Sequence, residues 1–385
     1  MLYDVVISGA SPSGLTAAKY ASKKGLKTLV IEKKKDLSVL EPANTMLYSM
    51  LDKTGISIPK SCIVHKTKGT RMYSPSGDYI EMKDPGFSMD RAKFDRLLLE
   101  EVYKNGGEVI FGTSVTSVIV KDSKVNGVSV KDNSGKKEIL SKVLIGADGF
   151  KSELSGQIGL SPMKYPKDVA FGVQADMVDV DIDPDFFEFY LGKKIAPGWK
   201  AALSPSGKDS ASVAVCVRGC GPCEDYYFDK LVKKSIASHK FIEAKIISKM
   251  HGYDTVATIP KEIVSDGFMA VGGSAGQSGL SYGMLAGKIA AEKALVANNL
   301  DDFSKVVLSA YEKEWKRRLI GEYKQGRLVL RIFDNMGDDK LNQVFEAASD
   351  VDFSGDVAKS MLKVLFKNIK LSFSLIPILV KSLEI

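Results

Sequence analysis

The sequence predicts an α/β fold with two lobes, on the basis of three observations. Residues 4–33 contain a strand, a glycine turn, a helix and a second strand, as at the start of a parallel sheet. Two more buried strands, at 143–149 and 268–273, end in glycine turns, and residues 168–218 between them contain several longer strands. We therefore expect a discontinuous first lobe, an inserted antiparallel sheet, and a mostly helical region from residue 301 onward.

The first unit has the pattern that holds the ADP half of a dinucleotide in a Rossmann-like domain. Residues 5–7 form a β-branched run typical of a strand buried on both faces. Gly9 permits a tight turn, Gly14 lets the helix pack close to the strand, and the helix start offers N–H groups to a pyrophosphate. Glu32 follows the second strand, where its carboxylate can accept both ribose hydroxyls, while Ser11 replaces the middle glycine of G-x-G-x-x-G. The alternative is a glycine-rich turn of another α/β protein.

The next elements are predicted from turn and capping residues. A helix is expected near residues 43–54, and a strand pair over 68–83 turns at Ser74 to Gly77. Asp90 is expected to cap a helix that ends at the Asn-Gly-Gly stop of residues 105–107.

Strands and one long helix complete the predicted framework. Residues 108–145 contain alternating strand patterns with turns expected at Asn126-Gly127 and at residues 133–135. Small residues after 273 lead into a helix predicted from about 280 to 298.

The composition is that of an ordinary globular protein, with 44% hydrophobic and 26% charged residues. The net charge of +7 is spread through lysine-rich stretches without a dense basic stripe, so we expect no nucleic-acid partner. The first strand begins by residue 4 and no uncharged apolar run reaches membrane-spanning length, so we expect no signal peptide, no membrane span and a cytoplasmic location.

Cysteine usage does not indicate a secreted disulfide framework. Cys220 and Cys223 have the C-x-x-C spacing of a redox dithiol, but no thioredoxin-like unit surrounds them. We favour a structural disulfide or an inert pair over redox activity. A zinc site is not expected, because no second cysteine pair or nearby histidine completes four ligands.

Four motifs occur in a fixed order, and together they resemble FAD enzymes built like p-hydroxybenzoate hydroxylase. They are residues 9–14 with Glu32, residues 91–97 (RAKFDRL), residues 146–152 (GADGFKS) and residues 272–292, which begin GGSAG. Within this group the chain is similar to the geranylgeranyl reductase family. The finer match is residues 197–207 (PGWKAALSPSG), similar to the family's aromatic-x-Trp-x-x-Pro segment, although Ala202 stands at the position of its Trp.

The resemblance implies the residues that hold FAD. It places Ser11, Ser13 and Gly14 at the pyrophosphate, Arg91 at the phosphates or ribityl chain, and Asp148 in the loop around the flavin. It also implies that the N–H groups of Gly279 and Leu280 point at the flavin ring, where negative charge develops on reduction. The cofactor-binding set it implies is Gly9, Ser11, Ser13, Gly14, Glu32, Lys33, Arg91, Val115, Asp148, Gly149, Gly273, Gly279 and Leu280. For Arg91 a surface salt bridge, and for Asp148 a simple turn, are the alternatives.

The resemblance also implies a division of the chain. The FAD-binding domain comprises residues 1–67, 96–165 and 260–300, the substrate-binding sheet domain comprises 68–95 and 166–259, and the helical region is 301–385. Several family features are missing. Gly273 replaces an Asp, the Asn-Pro-x-Thr-Gly loop before the last motif's helix is absent, and no cysteine lies between Glu32 and residue 60.

The family implies a flavin-dependent reductase that saturates C=C bonds of an isoprenoid, geranylgeranyl-type lipid. Trp199 and Tyr282 are its predicted substrate residues, with Tyr282 a candidate proton donor or, alternatively, a core residue. The electron donor, a reduced nicotinamide or a ferredoxin type, is left open. Other functions left open are an FAD-dependent monooxygenase or halogenase and a flavin-deficient lipid-binding protein.

The tail from Ala358 to Ile385 mixes apolar residues with lysines and contains ten successive uncharged residues, 371–380. Such a segment suits the interface of a membrane, at the inner face of the cell membrane. The alternative is a helix pair that packs on the protein's own core or on a second copy.

Overall fold

The computed structural model describes residues 2–38, 42–256, 258–353 and 357–383. Its strands are β1 (Leu2–Ser8), β2 (Thr28–Ile31), β3 (Thr45–Leu47), β4 (Ile63–Thr67), β5 (Gly69–Tyr73), β6 (Tyr79–Met82), β7 (Gly86–Met89), β8 (Glu108–Ile110), β9 (Ser114–Lys121), β10 (Lys124–Asp132), β11 (Gly135–Gly146), β12 (Ala170–Val178), β13 (Phe186–Tyr190), β14 (Lys200–Pro205), β15 (Ser210–Val217), β16 (Lys245–Asp254), β17 (Val264–Ser265) and β18 (Phe268–Ala270). Its α-helices are α1 (Pro12–Lys23), α2 (Tyr48–Asp52), α3 (Arg91–Lys104), α4 (Glu153–Gln157), α5 (Glu224–Lys234), α6 (Leu280–Leu300), α7 (Lys305–Asn335), α8 (Asp338–Ala348), α9 (Val357–Lys367) and α10 (Ile369–Leu383).

The first sheet has eight strands and a parallel centre, in the order β17-β18-β11-β1-β2-β8. Val5 of β1 lies between Val143 of β11 and Thr28 of β2, and all three are buried. The strands β9 and β10 add an antiparallel extension to β11. The strand, turn, helix and strand predicted for residues 4–33 are thus confirmed, and the parallel carboxyl ends all meet at one edge of the sheet.

The second sheet has seven strands in the order β16-β12-β15-β14-β13-β5-β6. Its pairs are antiparallel except β5 with β13, which run parallel. The separate sheet predicted for residues 168–218 and the strand pair predicted for 68–83 both belong to it. A third sheet, β3-β7-β4, leads into α3, whose N-cap Asp90 accepts the N–H of Lys93 at 2.8 Å as predicted. The α/β fold with two lobes is therefore confirmed.

Two local predictions are wrong. The segment predicted as a helix over residues 43–54 begins as strand β3, because Thr45 pairs with Ser88 in the third sheet, and only residues 48–52 are helical. The turn expected at Asn126-Gly127 lies inside β10, where Gly127 pairs with Leu140 beside a register shift. The chain turns instead at Asp122 and Ser123, which both adopt positive φ, as a two-residue hairpin turn requires.

The long helices at the carboxyl end pack on both lobes. Tyr311 and Trp315 of α7 are fully buried against the core of the first sheet. Leu341 of α8, Val364 of α9 and Leu375 of α10 form a separate core with residues of the second sheet. No helix among the described residues is both long enough and apolar enough to cross a bilayer. Residues 384–385, the end of the predicted interfacial tail, lie outside the described residues.

Cys220 and Cys223 form a disulfide just before α5. This agrees with the structural pairing favoured from the sequence. Cys62 and Cys216 are free thiols.

Candidate active site

The turn after β1 brings the sheet and α1 into very close contact. Gly9 has a φ of +107°, and a Cβ atom added there would lie 2.5 Å from the carbonyl oxygen of Ala147. A Cβ atom on Gly14 would lie 2.1 Å from the carbonyl oxygen of Gly9. Side chains are therefore excluded at both positions, for the reasons predicted from the sequence.

Ser11 and Ser13 occupy the first turn of α1. Ser11 is the N-cap, and its hydroxyl accepts the N–H of Gly14 at 3.3 Å, which satisfies one of the open amides of the helix. The Ser13 hydroxyl faces Gly272 in the turn after β18 and Gly283 of α6, where an added Cβ atom would lie 2.5 or 2.4 Å from it. Ser13 thus contributes to the helix contact as well as to the turn where the pyrophosphate is expected.

Glu32 is fixed at the end of β2 by two main-chain amides. It is only 7% exposed, and its Oε2 accepts the N–H of Ala10 at 2.7 Å while Oε1 accepts the N–H of Lys34 at 2.9 Å. Each carboxylate oxygen has a further lone pair for a ribose hydroxyl. The side chain of Lys33 is exposed beside it.

Val115 lies near this acid through the backbone. Thr113 donates its N–H to the carbonyl oxygen of Glu32 at 3.0 Å, and Val115, two residues later, is the second residue of β9. Its half-buried side chain packs on the core of the first sheet. The apolar surface it offers is consistent with its place in the predicted cofactor set.

Asp148 follows β11 and braces the next loop. Its Oδ2 accepts the N–H of Leu154 at 3.2 Å, as a bracing role predicts, and burial raises the pKa of its carboxyl. Its Oδ1 is buried and has no hydrogen-bond partner in the part of the chain that the structure describes. A buried acceptor without a donor indicates that a group absent from the protein itself supplies one.

Gly273 lies against the same loop, because β18 is the parallel neighbour of β11. A Cβ atom on Gly273 would lie 3.3 Å from the nitrogen of Phe150 and 3.5 Å from the carbonyl carbon of Gly149. An aspartate here would need the loop to shift by a few tenths of an ångström. Glycine at this position is therefore matched to the local packing.

Arg91, the first residue of α3, is buried and fully engaged by protein groups. Its Nε donates to both carboxylate oxygens of Asp95, at 2.8 and 3.0 Å, and its Nη1 donates to the carbonyl oxygens of Pro42 and Ala43, each at 3.1 Å. This corresponds to the salt-bridge alternative, although the partner Asp95 is half-buried rather than fully on the surface. Arg91 also borders a polar groove lined by Asn44, Ser88, Gln174 and Asp176.

The start of α6 meets the second sheet. Gly279, the N-cap with a φ of +87°, donates its N–H to the carboxylate of Asp254, the last residue of β16. The amide predicted to face the flavin is thus directed at a carboxylate of the protein. Leu280, the next residue, starts the helix and is half-buried.

Tyr282 of the same helix belongs to an aromatic group that it shares with α7. It is 7% exposed, and burial raises its pKa to about 12. Its ring lies 6.0 Å from that of Tyr323, whose hydroxyl donates to the carbonyl oxygen of Ser278 at 2.9 Å. The core position weighed for this residue from the sequence is what the structure shows.

Trp199, the other predicted substrate residue, lies just before β14. It is half-buried and packs with Ala170, Val256 and Leu330, apart from the core that contains Tyr282. Lys200 follows it, with its Nζ 3.8 Å from the centre of the Phe189 ring. The two predicted substrate residues therefore lie in different packed groups.

Sequence reasoning missed Lys200 and Asp254. Lys200 belongs to the segment 197–207, where it stands at the aromatic position of the family's pattern. A lysine in place of that aromatic residue was a signal in the sequence that could have identified it. Asp254 carried no local signal, because its contact with Gly279 joins two lobes and spans twenty-five residues of the chain.

Comparisons with known proteins agree with this geometry. The family described as FAD binding domain matches residues 2–235. A digeranylgeranylglycerophospholipid reductase from Methanosarcina acetivorans is 33% identical over 384 residues, covering 95% of this chain and 93% of the relative. The protein of the same name from Methanosarcina mazei is 31% identical over 383 residues, with coverage of 95% and 93%.

Solved structures give the same picture. A geranylgeranyl bacteriochlorophyll reductase-like protein from Thermoplasma acidophilum matches with a TM-score of 0.85 and 27% identity, covering 98% of this chain and 99% of that one. A variant of a flavin-dependent brominase matches with a TM-score of 0.69 and 19% identity, covering 96% and 99%. The second likeness shows the fold alone.

Proposed function

The chain belongs to the geranylgeranyl reductase family of FAD-dependent oxidoreductases, and on that premise we propose that it saturates C=C bonds in the isoprenoid chains of a geranylgeranyl lipid. The observation that carries this proposal is the 33% identity to a digeranylgeranylglycerophospholipid reductase over nearly the full length of both chains. The match includes the second sheet as well as the dinucleotide fold, so it extends to the part of the molecule expected to bind substrate.

The residues present fit FAD. The unpartnered Oδ1 of Asp148 is an acceptor for a hydroxyl of the cofactor, and the close contact of Gly9 with Gly14 leaves the start of α1 open to phosphates. Glu32 offers its free lone pairs to the ribose. Bound and reduced, FAD supplies a hydride to the substrate.

We propose that this chain's residues bind and orient the two molecules. The cofactor-binding set named from the sequence supports the dinucleotide along the carboxyl edge of the first sheet, from Glu32 to Asp148. Arg91 serves by holding residues 42–43 in place, which is supported by its contacts with Asp95 and with the Pro42 and Ala43 carbonyl groups. The isoprenoid chain lies between the lobes, where the half-buried Trp199 supplies apolar surface and excludes water, and Tyr282 supports the site from the core of the first lobe.

We further propose that the protein works from the cytoplasm at the inner face of the cell membrane, through a surface named here the tail stripe. Its members lie three or four residues apart on α9 and α10 and are 49% to 79% exposed: Phe366, Ile369, Phe373, Ile376 and Val380. Residues 357–383 include five lysines and no acidic residue, so the surface suits anionic lipid headgroups. The opposite face, at Val364 and Leu375, packs on the protein's own core, which is the alternative weighed from the sequence.

The experiment is an anaerobic reduction assay. Purified protein is scanned for flavin absorbance, reduced with dithionite and incubated with digeranylgeranylglycerophospholipid, and the lipid is analysed by mass spectrometry. We expect the lipid to gain two hydrogen atoms for each double bond reduced. A flavin-loaded protein that leaves the lipid unchanged, or that takes up oxygen when given an aromatic substrate, would contradict the proposal.

A further inference from the structure

Asp254 lies where the two lobes meet. It ends β16, next to Ala170 of β12, and its carboxylate accepts the N–H groups of Thr255 and Gly279. Gly279 caps α6, a helix of 21 residues, so the carboxylate lies at the positive end of a long helix dipole. The residue is half-buried.

Lys200 faces this carboxylate from the second sheet. It starts β14 opposite Cys216 of β15, and its Nζ lies over the rings of Phe189 and Trp199, at 3.8 and 5.4 Å from their centres. Its charge acts on Asp254, but within the described chain the two form no direct ion pair. Asp254 is therefore not consumed by a salt bridge.

The hydroxyl of Thr255 gives a second, independent observation at this place. Thr255 is 2% exposed, and its Oγ1 has no hydrogen-bond partner in the described part of the chain. Buried hydroxyl groups are almost always paired, so this one indicates a polar partner from outside the protein at the residue that follows Asp254.

We propose that Asp254 donates the proton that completes the reduction of each double bond, an inference that rests on the reductase function proposed above. The π electrons of the double bond form a C–H bond with the proton, while the O–H bond of Asp254 breaks and leaves its electrons on the carboxylate. The other carbon accepts the hydride, with its electron pair, that reduced FAD supplies. The alkene is reduced by two electrons, the flavin is oxidised by two, and water returns the proton to Asp254.

The surroundings suit both states of this acid. Burial raises the pKa of Asp254, so the protonated form is favoured before transfer. After transfer, the carboxylate is held by the two amides and by the positive charge of Lys200. The titratable groups that face this cluster are Lys200 and Cys216 of the second sheet, Glu224 of α5, Tyr282 of α6, and Tyr323 of α7.

The first test is Asp254→Asn in the full-length, FAD-loaded protein. The amide oxygen can still accept the two N–H groups, but no proton can be donated. Because a positioned general acid contributes roughly 10²–10⁴-fold, we expect the rate of lipid reduction to fall by at least about 100-fold, with flavin absorbance and reduction by dithionite unchanged. Asp225→Asn, a substitution of an exposed carboxylate beside β16, serves as the matched control and keeps its rate.

The second test uses Lys200→Met as a positioning variant. Removing the cation destabilises the carboxylate, so the pKa of Asp254 rises further and the fall in rate with increasing pH moves to higher pH. Lys200→Arg restores the wild-type profile. Infrared spectra give a readout without turnover, because the band of the protonated carboxyl should persist to a higher pH in the wild type than for an ordinary carboxyl, and should be lost in Asp254→Asn.

The outcomes separate the two proposals. A flavin-loaded wild type that leaves the lipid unreduced overturns the reductase function. An active wild type whose Asp254→Asn variant keeps its rate within about twofold overturns the proton-donor role alone. The proton-donor role is also overturned if the wild type lacks the infrared band of the protonated carboxyl, or if Lys200→Met leaves the pH dependence of the rate unchanged.

Discussion

The carboxylate of Glu32 accepts the backbone N–H of Ala10 at 2.7 Å and so joins the end of β2 to the turn after β1. The acid predicted to hold the ribose therefore also holds the turn that faces the phosphates. One side chain couples the shape of two parts of the cofactor site. A substitution at Glu32 is expected to weaken FAD binding through the loss of the ribose contact and through the altered turn.

The first prediction concerns this coupling. Glu32→Ala removes a buried acceptor from two amides and from the ribose, and hydrogen bonds to charged groups contribute roughly 1.5–3 kcal/mol each. We expect the affinity of the apoprotein for FAD to fall by about 10- to 100-fold, measured by quenching of flavin fluorescence. Lys35→Ala, at an exposed residue of the same loop, is the control. Equal affinities for the Glu32→Ala and Lys35→Ala variants would refute the role of Glu32.

A second prediction contrasts two glycines. In Gly14→Ala the new Cβ would lie 2.1 Å from the carbonyl oxygen of Gly9, so the strand and helix must separate. We expect the thermal midpoint to drop by several degrees and FAD binding to be lost. Gly321 lies inside α7 with nothing within 4 Å of an added Cβ, so Gly321→Ala should raise stability by roughly 0.5–1 kcal/mol. If calorimetry showed that both substitutions shift the thermal midpoint in the same direction, the steric explanation would be wrong.

These contacts show what could be predicted from the sequence. Gly9, Gly14 and Glu32 were identifiable because the first unit is local, and its spacing alone determines which residues meet. The turn was misplaced to Asn126-Gly127 because an Asn-Gly pair favours a hairpin turn, whereas strand pairing with Leu140 extends β10 through it.

The acid near α6 could not be predicted for a different reason. Asp254 and Lys200 lie on β16 and β14, strands that are separated in the sheet by β12 and β15. Their interaction with each other and with Gly279 depends on the order of the strands and on how the lobes meet. Neither the strand order nor the contact between the lobes can be predicted from a local sequence pattern. This part of the site therefore depends on tertiary contacts.

A third prediction concerns pH. Burial raises the pKa of the Asp148 carboxyl in the folded protein above its value in the unfolded chain. The protonated carboxyl therefore contributes stability in full below the ordinary carboxyl pKa, and this contribution is lost as the pH rises through the raised pKa. Asp148→Asn should therefore raise the thermal midpoint of the apoprotein at neutral pH, on the order of a degree or two, and the difference should vanish in acid. FAD binding should weaken in the same variant, because the amide carries one acceptor fewer.

The control for this prediction has the opposite sign. Ser134 and Lys137 lower the pKa of the half-buried Asp132 carboxyl to about 2, so its contribution is present at neutral pH and is lost as pH falls through the lowered pKa. Asp132→Asn should lower the midpoint at neutral pH and leave FAD binding unchanged. Melting curves in which Asp148→Asn destabilises the apoprotein at neutral pH would contradict the argument.

The last prediction tests the tail stripe. Phe366, Ile369 and Phe373 are 79%, 64% and 68% exposed and belong to the segment 357–383, which has five lysines and no acidic residue. Changing all three to Ser removes the apolar surface that would enter the headgroup region. Complete burial of such a side chain contributes about 1.5–3 kcal/mol. Even partial insertion of the three side chains therefore predicts that the triple variant loses binding to phosphatidylglycerol vesicles by at least roughly tenfold. Vesicle sedimentation measures this binding.

The matched control changes three equally exposed apolar residues outside the tail. Ile242, Ile247 and Val306 are 77%, 67% and 82% exposed, and their replacement by Ser should leave vesicle binding intact. The lysines add an electrostatic component, so wild-type binding should weaken as salt is raised and should be poor on neutral vesicles. If the tail variant binds vesicles like the wild type and forms smaller oligomers instead, the tail stripe is an interface between copies of the chain, because the same apolar surface then has a protein partner.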